Sequence, residues 1–91
     1  MSWLNASNIT FSGGTANQLN GENINVSTGA TVNTITAETS VTNTGTITNI
    51  LNANTTAINV TNDGAINGNV DFDTSGGNFT QNSGSVNIVL N

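Results

Sequence analysis

No lysine, arginine, histidine, cysteine, proline or tyrosine occurs among the 91 residues. Without His, Cys or Lys the chain has no ordinary general base near neutral pH, no thiolate and no Schiff-base amine, so we expect neither an enzyme nor a bound cofactor. A net charge of −5 without any basic residue excludes electrostatic attraction to nucleic acid or to anionic lipid. No apolar run is long enough to cross a membrane, so membrane insertion is not expected either.

The same absences bear on the setting of the protein. A basic segment followed by an apolar one is not visible at the start of the chain, so no signal peptide is predicted. The chain is then a mature form, an expressed piece, or a protein secreted by another route. Because Lys and Arg are missing, trypsin has no cleavage site, which suits a protein placed outside the cell or on its surface.

Asparagine and threonine dominate what remains, with 19 and 16 residues respectively. A polar composition with only 34% hydrophobic residues resembles that of disordered low-complexity tracts. The apolar residues are nevertheless mostly β-branched, and they recur periodically. This regularity predicts an ordered β-structure rather than a disordered chain.

Five stretches of the chain align so that apolar residues share columns. The first column contains Ile9, Ile24, Thr39, Ile58 and Phe79, and the second, two residues later, contains Phe11, Val26, Val41, Val60 and Gln81. A further column follows a glycine, with Ala16, Val32, Ile47, Ile66 and Val86. The last column contains Leu19, Ile35, Ile50, Val70 and Val89. Repeats of this length predict a solenoid.

The predicted fold is all-β: a parallel β-solenoid (β-helix) of about five coils, each with 15–21 residues and three short strands. Residues 1–91 form one domain, divided into a partial first coil (1–8) and coils at 9–23, 24–38, 39–57, 58–78 and 79–91. Each strand has too little apolar surface to be stable alone, but stacking at about 4.8 Å closes a thin continuous core. A hairpin meander is the alternative, because gaps of three to five residues with glycine are also normal hairpin loops.

One glycine lies at the same corner of every coil. We expect these residues to supply the positive φ that a sharp bend requires. They are Gly14, Gly29, Gly45, Gly64 and Gly84.

Both ends of the predicted solenoid lie on the same face. Leu4 precedes Ile9 by the spacing that separates Leu19 from Ile24, so the chain begins on the third face, and residues 89–91 end there. The end strands contain no proline or lysine that would block addition of another strand. We therefore predict homopolymers that grow head to tail as an extracellular filament, and the alternative is that the chain is a piece of a longer solenoid. The predicted self-association residues are Trp3, Leu4, Ile9, Phe79, Val86, Val89 and Leu90; Trp3 would anchor a junction or plug the core.

The segments TNTGTITN (42–49) and NDGAINGNV (62–70) resemble the passenger repeats of bacterial autotransporters and filamentous-haemagglutinin-like adhesins. The likeness is periodic and compositional, and it spans nearly the whole chain. It implies a right-handed parallel β-helix at a cell surface and carries over no site residue. A second functional hypothesis is therefore an adhesin segment or a trimeric phage fibre stem that binds glycan or ice.

Few residues are candidates for other chemistry. Asp71 and Asp73 alternate with Val70 and Phe72 and thus face outward together, where they would join a Ca²⁺ site, act as a glycosidic acid–base pair, or form a solvated strand edge. Thr-x-Thr segments in one column would suit ice binding, but Thr34-Ile35-Thr36 and Thr46-Ile47-Thr48 lie in different columns. Asn-x-Ser/Thr triplets are either glycosylation acceptors or chance products of so Asn- and Thr-rich a chain. They begin at Asn5, Asn8, Asn25, Asn54, Asn59 and Asn78.

Overall fold

The computed structural model describes residues 3–52, 57–72, 77–86 and 89–90, and within these ranges the chain consists of strands and short corners. The strands are β1 (Trp3–Asn5), β2 (Asn8–Phe11), β3 (Gly14–Val26), β4 (Ala30–Asn43), β5 (Thr46–Asn52), β6 (Ile58–Asn62), β7 (Ala65–Ile66), β8 (Asn69–Asp71), β9 (Gly77–Gln81), β10 (Ser85–Val86) and β11 (Val89–Leu90). Each strand pair formed by the described residues is parallel. The chain is a parallel β-solenoid, and the hairpin alternative is wrong.

The solenoid has three faces, which we number in chain order after the first corner. Face 1 consists of β2, the end of β3, the end of β4, β6 and β9. Face 2 consists of the beginnings of β3, β4 and β5, followed by β7 and β10. Face 3 consists of β1, the middle of β3, the middle of β4, the end of β5, β8 and β11.

The columns on faces 2 and 3 agree with the prediction, apart from the last position on face 3. Ala16, Val32, Ile47, Ile66 and Val86 are in register on face 2. On face 3, Leu4 pairs with Leu19, so β1 lies on this face, as predicted. Val89 was expected in the column of Val70, but it pairs with Asn69, and Leu90 pairs with Val70.

Face 1 differs from the prediction in two coils. Val41 pairs with Ile24 and Val60 with Val41, so Thr39 and Ile58 do not belong to the first column. The shift arises at the corner between faces 3 and 1, where the pairing changes register between Gly21 and Asn23. The coils measured along this column therefore begin at Ile9, Ile24, Val41, Val60 and Phe79.

Two buried asparagines occupy the inward positions that the prediction had given to valine. Asn43 and Asn62 are each 0% exposed and lie one above the other. The amide of Asn43 donates from Nδ2 to Oδ1 of Asn62 at 2.9 Å, and that of Asn62 donates to Oε1 of Gln81 at 2.8 Å. Their own oxygens accept from the backbone N–H of Gly45 at 3.0 Å and of Gly64 at 3.1 Å. Because the amides are fully paired, their burial is tolerated.

The core is a single cluster of apolar side chains inside the three faces. Seven Leu and Ile side chains in it are shielded almost completely from solvent, and apolar residues of adjacent coils stack on one another. Burial of each such side chain contributes about 1.5–3 kcal/mol. Every buried side-chain nitrogen or oxygen in the described part of the chain has a hydrogen-bond partner.

The corner glycines fall into two groups. Gly14, Gly29 and Gly84 have positive φ, at 80°, 89° and 78°, as predicted. Gly45 and Gly64 do not, so the expectation is wrong for them. At Gly45 a Cβ would lie 2.5 Å from the carbonyl oxygens of Ala30 and Ser27, so here glycine is needed for close packing of neighbouring coils.

Candidate functional site

The first open edge of the solenoid is formed by β1 on face 3, β2 on face 1 and the beginning of β3 on face 2. In the part of the chain described, β1 and β2 pair only with β3, and the beginning of β3 pairs only with β4. Trp3 is 59% exposed and lies beside Gln18, so it does not plug the core. Leu4 is half-buried and Ile9 is buried. Both pack against the core at its first level. The apolar end of the core is therefore incompletely covered at this edge.

The second open edge is formed by β9, β10 and β11. Within the described ranges these strands pair only with β6, β7 and β8 respectively. Phe79 is half-buried and packs against the core from its last level. The backbone of Val86, Val89 and Leu90 continues the ladders of the preceding coil. The seven predicted residues thus lie at two opposite edges of the solenoid, three at the first and four at the second.

The backbone polarity of the edges follows from the internal ladders. The carbonyl of Phe11 accepts from the N–H of Ser27 at 3.0 Å. Alternate residues of a strand in a parallel sheet bond to opposite neighbours, so the N–H of Thr10 points to the first open edge. At the other end, the N–H of Asn82 donates back to Asn62 at 2.9 Å, so the backbone groups of Phe79 point to the second open edge.

A ladder of polar side chains runs along the outside of face 1. Asn23 donates from Nδ2 to Oδ1 of Asn8 at 3.0 Å, and Ser40 donates from Oγ to Oδ1 of Asn23 at 2.9 Å. Further along, Asn78 donates from Nδ2 to Oδ1 of Asn59 at 2.8 Å. All three bonds run from a later coil to an earlier one, so this outer ladder has a direction.

The acidic residues that the structure describes do not form a second candidate site. Glu22 and Glu38 line an open groove of about 180 Å³ at the first corner, together with Asn5, Ala6, Ser7, Asn20, Gly21 and Thr36. Asp71 lies in β8, whereas Asp73 lies outside the described residues. The described residues contain no group of three acidic, His or Cys side chains that could hold a metal ion.

Sequence reasoning missed several contributors to the edges. Phe11 is half-buried against the core at the first edge, and Thr10 supplies an outward N–H. Asn8 and Asn78 are the first and last members of the outer ladder. The sequence pattern places Asn8 and Asn78 on the outward side of their strands, but it does not reveal the direction of their hydrogen bonds.

Comparisons with family models, with curated proteins and with solved structures find no match. Across the residues that the structure describes, no helix has the length and apolar character needed to span a membrane. The class to which the chain belongs is therefore given by its fold alone, that of a parallel β-solenoid.

Proposed function

We propose that the chain is a structural subunit that stacks head to tail into an extracellular filament. The observation that carries this proposal is the match between the two open edges. Both have an apolar centre, outward backbone groups and an end of the directional outer ladder. Such a contact is heterologous and does not close, so it continues from subunit to subunit.

The internal ladders define the geometry of the proposed junction. With Phe79 of one subunit stacked on Ile9 of the next, the N–H of Thr10 donates to the carbonyl of Phe79. In the outer ladder, Nδ2 of Asn8 in the incoming subunit donates to Oδ1 of Asn78. This bond keeps the direction found within the subunit, from the later coil to the earlier one. Each junction is then another coil-to-coil contact.

The composition supports growth and a surface location. Open strand edges of folded proteins are commonly blocked by lysine or proline, and the chain has neither. The likeness to passenger repeats of surface adhesins and the absence of trypsin sites favour an extracellular filament.

Electron microscopy of the purified chain tests the proposal. We expect thin unbranched fibres with an axial repeat of about 24 Å, which is five coils at the strand spacing. Discrete monomers at concentrations well above those used for imaging would contradict head-to-tail stacking.

Thr10→Pro is expected to abolish these fibres without unfolding the subunit. Proline removes the N–H that points to the open edge, while the bond between Phe11 and Ser27 is not touched. Thr10→Val is the matched control because it keeps the N–H and fits a strand. Circular dichroism checks the fold, and sedimentation measures assembly. Fibres of Thr10→Pro equal in yield to those of Thr10→Val would show that β2 is not at the junction.

A second function is favoured by the regularity of face 1. Its outward positions repeat Asn, Asn, Ser, Asn, Asn in one column and Thr, Asn, Thr, Thr, Thr in the next. This regular polar surface suits an adhesin or a fibre stem that binds glycan or ice, although the Thr-x-Thr segments themselves lie elsewhere. Finite trimers in sedimentation equilibrium, with binding lost on substitution of face 1, would favour this function over the filament.

A further inference from the structure

Among the described residues, face 3 carries one more strand than either other face. Faces 1 and 2 each have five levels, ending at Phe79 and Val86. Face 3 has six, because β1 adds a level before β3 and β11 adds one after β8. The described strands therefore do not make up a whole number of coils.

This excess strand creates a conflict in the head-to-tail stack. Joining faces 1 and 2 without a gap requires an axial step of five strand spacings, about 24 Å. At that step, β11 of one subunit and β1 of the next fall at the same level on face 3. A step of six spacings would accommodate both, but it would leave faces 1 and 2 unpaired at every junction. One of these two strands must therefore leave its own subunit.

We infer that β11 is a removable cap, and that β1 of the incoming subunit replaces it on β8. This inference rests on the proposed head-to-tail function. The connection after β1 is held by hydrogen bonds from Ala6 N–H to the carbonyl of Asn20, at 3.1 Å, and from the N–H groups of Glu22 and Asn23 to the carbonyl of Ser7, at 2.9 and 3.0 Å. These bonds fix β1 on its own subunit, so β11 is the strand that is released.

The exchange gives β1 a second neighbour. Leu4 of the incoming subunit stacks on Val70, and Trp3 lies between its own Gln18 and Asn69 of the preceding subunit. Trp3 is the only tryptophan of the chain and is 59% exposed in the isolated subunit. Its fluorescence emission is expected to shift to shorter wavelength as filaments form. If β1 were the strand released, the emission would stay at the position of an exposed tryptophan.

Two reversible locks test which strand leaves. Asn69→Cys with Val89→Cys joins β11 to β8, and Asn5→Cys with Asn20→Cys joins β1 to β3, in each case between residues in register. Cα atoms on adjacent strands are about 4.8 Å apart, within the range for a disulfide. The natural chain has no cysteine, so each variant can form only its intended intramolecular bond. Mass spectrometry establishes the disulfide before assembly is measured.

The oxidised β11 lock is expected to slow filament growth by about tenfold or more relative to its reduced form, a change equivalent to 1.4 kcal/mol or more. The oxidised β1 lock is expected to grow like its reduced form. Equal growth of the oxidised and reduced β11 lock, or arrest by the β1 lock alone, would overturn the assignment of β11 as the cap. Failure of the wild-type chain to form filaments would instead remove the proposed function on which the exchange depends.

Discussion

Asn43→Asp is expected to destabilise the solenoid by about 3–5 kcal/mol at neutral pH, the cost of a buried charge without a compensating partner. Asn43 is fully buried, and its Nδ2 donates to three oxygens, those of Gly45 at 3.3 Å, Asn62 at 2.9 Å and Ala65 at 3.0 Å. An ionised carboxylate in the same place has no proton to donate and faces all three oxygens. Domains of this size are stable by only about 5–15 kcal/mol, so the loss is a large part of the total.

The loss is expected to depend on pH. Burial and the facing oxygens raise the pKa of the new carboxyl in the folded chain above its unfolded value of about 3.9. The folded state then binds the proton more tightly than the unfolded state. The penalty relative to wild type is therefore smallest below about pH 3.9, grows as the pH rises towards the folded-state pKa, and is constant above it. Urea unfolding of variant and wild type between pH 3 and 7 measures it.

Asn59→Asp is the matched control for this substitution. Asn59 lies on the exposed side of face 1, and its Oδ1 accepts from Asn78 at 2.8 Å, as a carboxylate also can. We expect a change within about 0.5 kcal/mol at neutral pH. If Asn43→Asp cost no more than Asn59→Asp at pH 7, the buried amide ladder would not be a determinant of the fold.

Gly64→Ala is expected to destabilise the chain by about 2–3 kcal/mol, the upper part of the usual range for overpacking. A Cβ on Gly64 would collide with the carbonyl oxygen of Gly45 and come within 2.8 Å of the carbonyl carbon of Thr44. These are backbone atoms of the preceding coil, which are fixed by the ladder bond from Ala65 N–H to the carbonyl of Gly45 at 2.9 Å. A fall in the midpoint of thermal unfolding of about 10–20 °C is the expected signal.

Substitutions of the adjacent residues Gly13 and Gly14 separate two possible causes of this destabilisation, close packing and the backbone conformation. Gly14→Ala adds a Cβ in open space at φ +80°, so it reports only the cost of the left-handed conformation, about 1–2 kcal/mol. Gly13→Ala has neither feature and is expected to be neutral or stabilising by less than about 1 kcal/mol, because it restricts the unfolded chain. A fall for Gly64→Ala no larger than that for Gly13→Ala would contradict the close packing of these corners.

The sequence determines faces 2 and 3 almost completely because their inward positions are apolar. The face 2 register was predicted at every level from Ala16 to Val86. The prediction for face 1 failed at coils three and four because it placed Val41 and Val60 in the second column, where the structure has Asn43 and Asn62. Asn43 and Asn62 are inward, and only their complete hydrogen bonding makes that position favourable. Such pairing depends on atoms from the next coil, which alternation within one coil does not reveal.

The position of β1 was predictable from the sequence, whereas the hydrogen-bond chemistry of the edges was not. The spacing of Leu4 and Leu19 was enough to place β1 on face 3. The extra strand on that face was also implicit in the columns, but its conflict with stacking appears only when the levels of all three faces are compared. The direction of the outer ladder depends on how each amide is rotated, so no pattern of residue types predicts it.

The corner between faces 3 and 1 absorbs the largest difference in coil length. The separation between paired residues is 15 for Ala37 and Asn52, before this corner, but 19 for Ser40 and Asn59, after it. The ladders on either side stay parallel despite these added residues. A foreign peptide inserted at this corner would therefore leave the stack of coils intact, and a filament would display one copy per subunit, at intervals of about 24 Å. The number of coils in a subunit would then set the distance between the displayed peptides.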